Sequence, residues 1–214
     1  MKVVKLVSFD LDGTITDMSF ANSVWSEGVP RRYAVVNGMS LEAAKREVAD
    51  EYGKVGKERL EWYDLSYWIR RLCLGVTAKE MISSFQGQIR VFPEVYRVLE
   101  NIKDGGFRMI VLTNARREFA NVELETTQIT RYFEHIFSAT SDFRLIKNTV
   151  AAYLKVCDIC NVSPREVVHV GDDKRFDFEV PLETGIRAFH IDRTSKSREE
   201  NVLHSLTELI DKIL

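Results

Sequence analysis

The sequence predicts an α/β fold: a doubly wound parallel sheet whose chain is interrupted by an inserted α-helical domain. Three observations carry that prediction. Short apolar runs, mostly β-branched, recur at residues 3–7, 109–112, 167–170 and 188–191, each the length of a strand buried on both faces. Helical patterns separate the later runs, and such alternation builds a parallel sheet because each crossover returns the chain to the same end. Between the first two runs, residues 17–90 carry helical periodicity alone. The expected division is a sheet domain of residues 1–16 and 91–214 and a helical domain of residues 17–90.

Each element has a local reason. The first run ends in Asp10-Leu11-Asp12-Gly13-Thr14, where Gly13 allows a sharp turn. Residues 19–25 make a first helix. Ser40 caps a second, with Leu41, Ala44, Val48 and Tyr52 on one stripe. Residues 60–72 hold Trp62, Tyr63, Leu65, Tyr67, Trp68 and Ile69; this stretch is apolar nearly all round and reads as one helix in the core of a bundle. Thr77 and Glu80 form a capping box ahead of Met81, Ile82 and Phe85. A helix over 94–104 buries Val95, Val98, Leu99 and Ile102 and ends at Gly105-Gly106. The strand over 109–112 runs into Thr113-Asn114. A helix over 117–129, a strand over 135–138 and a helix starting near Lys147 and running to Cys160 follow. The strand over 167–170 stops at Gly171-Asp172-Asp173, and that over 188–191 reads as the last. Residues 197–200 are expected to cap a C-terminal helix carrying Leu203, Leu206, Leu209, Ile210 and Ile213.

Composition narrows the function. A formal charge of -2 gives no electrostatic reason to expect nucleic acid or an anionic membrane as partner. No apolar run approaches the ~20 residues of a membrane span, and the chain enters its first strand without a cleavable leader, so a cytoplasmic protein is expected. Three cysteines make an odd count, and Cys157-x-x-Cys160 lacks a second pair or histidines to complete a zinc site. His169, within a strand, reads as a core histidine. Arg31-Arg32 and Arg70-Arg71 read as solvated faces. Asp17, just beyond the first motif, is open between a linker residue and a site residue.

Chemistry gathers where strands end. Side chains two apart on an extended chain share a side, so Asp10 and Asp12 face one point at the edge where α/β sheets bind ligands. Two carboxylates converging there repel unless a divalent cation or a shared proton separates them. Thr113 and Asp172-Asp173 come to the same edge from other strands, and Lys147 can add an ammonium. Carboxylates, a hydroxyl and a lysine suit a magnesium ion with a phosphate.

These residues in this order resemble the motifs of the haloacid dehalogenase (HAD) superfamily. Asp10-Leu11-Asp12-Gly13-Thr14 is similar to its first motif, Thr113-Asn114 to its second, Lys147 to its third, and Gly171-Asp172-Asp173 with Asp177 to its fourth. The helical insertion resembles a C1-type cap, as in phosphoglycolate phosphatase-like members. The resemblance implies a Rossmann-like core and a magnesium-dependent phosphatase acting on a small phosphorylated metabolite. It implies that Asp10 is the nucleophile and Asp12 the general acid and base. It also implies that Asp10, the Asp12 backbone carbonyl and Asp172 hold Mg2+. Thr113, Lys147 and the Asn114 backbone would bind the phosphoryl group, with Asp173 and Asp177 behind them. Two positions depart from the pattern: Asn148 follows the lysine where proline is usual, and Asp173 replaces a usual Ser or Thr. A phosphomutase of the same superfamily and a non-catalytic binding module carry the same motifs. Oligomeric state and the particular substrate are not legible.

Overall fold

The computed structural model describes residues 4–194 and 197–213. Val3, at the start of the first predicted strand, lies outside them. Among the described residues one wholly parallel sheet forms from β1 (Leu6–Phe9), β2 (Arg108–Thr113), β3 (His135–Ser138), β4 (Val167–Gly171), β5 (Arg187–Ile191) and β6 (Val202–Leu203). The order is β3-β2-β1-β4-β5-β6. The direction of winding reverses at β1, between β2 and β4, which opens a crevice at their C-terminal ends. Phe9 is level with Val111 on one side and Val170 on the other, so Asp10, Thr113 and Asp172 leave the sheet within two residues of one another.

The helices are α1 (Ser19–Asn22), α2 (Val29–Asn37), α3 (Leu41–Val55), α4 (Leu65–Arg71), α5 (Ala78–Phe85), α6 (Val95–Asp104), α7 (Arg117–Thr127), α8 (Val150–Cys160), α9 (Val180–Glu183) and α10 (Thr207–Ile213). All four residues of β1 are buried, because helices cover both sheet faces. One face packs against α6, α7 and α10 through Val98, Leu99, Leu124 and Leu209. The other packs against α8 and α9 through Tyr153, Val156, Cys160 and Val180. Helices α1 to α5 gather a third core around Phe20, Val48, Leu65 and Trp68, to which α7 lends Phe119. The two chain crossings between this helical segment and the sheet run side by side. Thr16 bridges Val91, Asp17 N donates to Arg90 O at 2.9 Å and Phe92 N to Ile15 O at 3.1 Å.

Three expected elements differ. The stretch 60–72 is broken: Leu60–Tyr63 is a 3-10 turn, and α4 starts afresh because the Asp64 carboxylate caps it, accepting from Tyr67 N at 2.9 Å. The helix expected near Lys147 starts at Val150, because Lys147 N donates to Asn114 Oδ1 at 2.9 Å and holds the preceding residues in a turn. The C-terminal helix starts at Thr207, and a sixth strand precedes it. His190 N donates to Asn201 O at 2.9 Å and Asp192 N to Leu203 O at 2.8 Å, giving β5 a partner on its otherwise open edge.

Candidate active site

The site grows from the end of β1. Asp10 is 5% exposed, its backbone N bonded to Val170 O at 2.9 Å, so its carboxylate is delivered into the crevice by the sheet ladder itself. Lys147, 2% exposed, turns its ammonium onto Asp10, onto Asp177 Oδ1 at 2.6 Å and onto Leu112 O at 3.1 Å. Three acceptors satisfy its three donors. Burial works against the Lys147 charge, but the Asp10 and Asp177 carboxylates outweigh it and hold the ammonium well above the usual lysine range.

Asp177 is the anchor of that ammonium. Its Oδ1 also meets His169 Nε2 at 2.9 Å, and its Oδ2 accepts from Asp173 N at 3.2 Å. Burial opposes its charge, yet Lys147 and His169 together keep it well below the usual carboxylate range. His169 spans from Asp177 to Ser8 Oγ at 2.8 Å and is fully buried. Burial holds it below the usual histidine range, so it is a neutral strut at neutral pH.

The acids opposite behave differently. Burial pushes Asp10 well up; Lys147 pulls it down, while Asp177 and Asp172 push it up again. Asp172 sits at the exposed rim with its carboxyl sunk among neighbours. That loss of solvent, with the Asp177 charge, pushes it up to about 7. Its backbone is held by His190, whose Nε2 lies 2.9 Å from Asp172 O. Oxygens of Asp10, Asp172 and Asp177 lie within 4.8 Å of one another. Burial raises Asp12 to about 6, against the lowering pull of Lys147 and of a hydrogen bond with Glu123. Thr113 Oγ1 accepts from Ala115 N at 3.0 Å, which shapes the loop after β2. Asn114 ties that loop to the Lys147 turn through its side chain. Asp173 points elsewhere: Oδ1 caps the turn after β4 by accepting from Arg175 N and Phe176 N, each at 2.9 Å, and Oδ2 meets Lys57 at 3.2 Å.

With this arrangement in view, comparison with known proteins is informative: residues 4–179 match the haloacid dehalogenase-like hydrolase family. The chain belongs to that family. This HAD hydrolase is 27% identical over 184 residues to the GMP/IMP nucleotidase YrfG of Escherichia coli (strain K12), covering 86% of the chain and 81% of the relative. It is 26% identical over 227 residues to phosphoglycolate phosphatase of Vibrio parahaemolyticus, covering 98% and 96%. Its backbone superposes on that of the HAD phosphatase from Thermococcus onnurineus with a TM-score of 0.86 at 23% identity, covering 98% and 97%, a likeness of fold.

The strand ends of this HAD hydrolase suit a hard divalent cation. Asp12 Oδ1 and Thr14 Oγ1 are buried without a hydrogen-bond partner, and the gathered oxygens of Asp10, Asp172 and Asp177 are ligands such a cation takes. A Cβ on Gly13 would fall 2.3 Å from Asp172 Oδ2, so the bare backbone at φ +79° is what lets that carboxylate come in. The residues present fit a bound metal.

Sequence reasoning missed several parts of the site. Glu123 on α7 is 0% exposed, accepts from Thr16 Oγ1 at 2.6 Å and faces Asp12. Burial and the Asp12 charge raise it well above the usual carboxylate range. Its signal was an acid on the buried stripe Phe119, Ala120, Leu124 of an amphipathic helix. A cavity of about 440 Å³ opens beyond Asp10, and Trp25, Tyr52, Trp62 and Tyr63 line it. Part of the aromatic cluster expected to fill the helical core therefore faces the site instead, and Trp68 remains in the core at 0% exposure. Asp17 Oδ1 accepts from Ser19 N at 2.9 Å in the turn that leads into α1. Among the described residues no helix is long and apolar enough to cross a membrane.

Proposed function

We propose that this phosphoric monoester hydrolase works through an aspartyl-phosphate on Asp10, with magnesium bound at the strand ends, on a small phosphorylated substrate. The observation that carries the reading is the Lys147 ammonium held between Asp10 and Asp177 beside the Asp172 carboxylate. A buried cation beside a nucleophilic carboxylate offsets the repulsion between that carboxylate and an incoming phosphate. Its two named relatives, a nucleotidase and a phosphatase, support the same chemistry.

In this reading an Asp10 oxygen attacks phosphorus in line with the leaving group, and the bond from phosphorus to the leaving oxygen breaks. Asp12 gives its proton to that oxygen, with Glu123, itself bonded by the Thr16 hydroxyl, beside it. Water then attacks the phosphorus of the aspartyl-phosphate, Asp12 takes the water's proton, and phosphate leaves as Asp10 is restored. The Lys147 ammonium would exchange one of its present acceptors for a phosphoryl oxygen, and the Thr113 hydroxyl and the Asn114 backbone would hold the others. Asp10, the Asp12 carbonyl and Asp172 would hold Mg2+, which supplies positive charge to the phosphoryl oxygens as negative charge gathers there.

Phosphate release from a panel of phosphomonoesters tests the reading. Dialysis against chelator should abolish turnover, magnesium should restore it and calcium should not, because calcium accepts more ligands at longer distances. Unchanged turnover in chelator would overturn it.

A further inference from the structure

We infer that the cavity of this enzyme takes a phosphomonoester whose leaving group carries a planar, hydrogen-bonding aromatic ring, the chemistry of a nucleoside monophosphate. The inference deepens the phosphomonoesterase reading and rests on it. Size is the first argument. A cavity of about 440 Å³ lies within the ~300–1,000 Å³ that drug-sized ligands fill, and a two- or three-carbon phosphate would leave most of it to water.

The walls are the second argument. Asp10 and Lys147 line it from the strand ends, and the rings of Trp25, Tyr52 and Trp62 line it from the helical segment. Trp25 stacks on Phe119 with centroids 5.6 Å apart and planes at 7°. Tyr52 meets the Trp25 ring edge-on at 6.1 Å and Trp62 at 5.9 Å. Trp25 and Trp62 are only half-buried, so part of each indole remains for a ligand. A flat π-face attracts a flat π-face, and bases of any identity stack on such walls.

Polar side chains among the rings separate a base from a greasy chain. Asn22 and Ser26 line the same cavity one turn apart on the helical run that carries Trp25. Neither side chain has a hydrogen-bond partner within the described residues. An amide offers a donor and an acceptor side by side, which suits the edge of a heterocycle and gives nothing to an alkyl tail.

The experiment compares kcat/KM for nucleoside 5′-monophosphates with that for glycerol 3-phosphate and 2-phosphoglycolate, in the wild-type enzyme and in Trp62→Leu and Trp62→Phe. The wild type should favour nucleotides at least tenfold. Trp62→Leu should lower that selectivity ratio by roughly 5- to 150-fold, and Trp62→Phe should recover most of it, because a ring is what stacks. Equal or better use of the aliphatic phosphates overturns the inference. So does an unmoved ratio in a Trp62→Leu protein whose thermal unfolding matches wild type. If no monoester is hydrolysed, the phosphomonoesterase reading fails, and the ring site is read from binding alone. A nucleoside should then quench tryptophan fluorescence in the wild type and less so in Trp62→Leu, and absence of quenching overturns the site.

Discussion

The two ends of the cavity are built on opposite plans. At the strand ends a chain of polar side chains is tied down: Lys147 by Asp10, Asp177 and Leu112 O, Asp177 in turn by His169, and His169 by Ser8. At the helical end the rings of Trp25 after α1, Tyr52 on α3 and Trp62 in the turn before α4 meet edge-on, with Asn22 and Ser26 left open. The difference follows from what each end handles. A buried charge without its partner costs several kcal/mol, so a phosphate site must be fully paired and rigid. An aromatic wall needs only area and flatness. Changes at the first end should therefore remove rate, and changes at the second should move selectivity.

The sharpest way to break that contrast is Asp10→Asn. It keeps the shape and removes the nucleophile, so kcat should fall by roughly 10⁴-fold or more, with thermal unfolding shifted by no more than a few degrees. Steady-state phosphate release and a melting curve measure both, and a residual rate above a tenth would refute the assigned nucleophile.

Lys147→Ala should come next, and unlike Asp10→Asn it should hurt the fold as well. It strands Asp10 and Asp177 as buried carboxylates, so a loss of about 3–5 kcal/mol is expected by chemical denaturation, along with near-complete loss of activity. Lys174→Ala, on an exposed residue of the turn after β4, is the control and should change neither by much.

Asp12→Asn sharpens the comparison through chemistry. A positioned acid contributes typically ~10²–10⁴-fold, and that contribution shrinks when the leaving group needs no proton. The rate loss should be at least tenfold smaller for p-nitrophenyl phosphate than for an alkyl phosphate. Equal losses would remove Asp12 from the acid role.

The smallest effect lies outside the cavity. Arg193 bonds Glu94 at 2.5 Å and Thr14 O at 2.9 Å, fastening the start of α6 to the loop after β1. Burial pushes Glu94 up, but the Arg193 hydrogen bond and charge prevail and its folded pKa lies below the ordinary value. Its stabilising contribution is therefore present above the unfolded pKa and lost as pH falls through the folded one. Glu94→Gln should cost about 1–2 kcal/mol near pH 7 and progressively less as pH falls below the ordinary glutamate range, by urea denaturation at each pH.

Much of the strand-end chemistry was legible in one dimension because local rules specify it. Buried apolar runs bring the ends of β1, β2 and β4 to one edge, and Asp10 and Asp12 follow directly on the first of them. The capping box at Thr77 and the cap at Ser40 formed as their side chains require. The failures share a cause. The break at Asp64, the late start of α8 and the strand at Val202–Leu203 each depend on a partner distant in sequence or on a cap that competes with an apolar pattern.

By itself, then, the sequence determined the α/β architecture, the interruption after β1 and the residues that gather at the crevice. Only the tertiary structure decided which aromatics of the helical segment are core and which are wall, since periodicity reports that Trp62 and Trp68 are apolar but not what they face. It alone brought Glu123 to Asp12 and His169 to Asp177, pairings across 111 and 8 residues that hydrophobic pattern does not encode. Burial makes such polar contacts compulsory, and burial is a property of the whole packed chain.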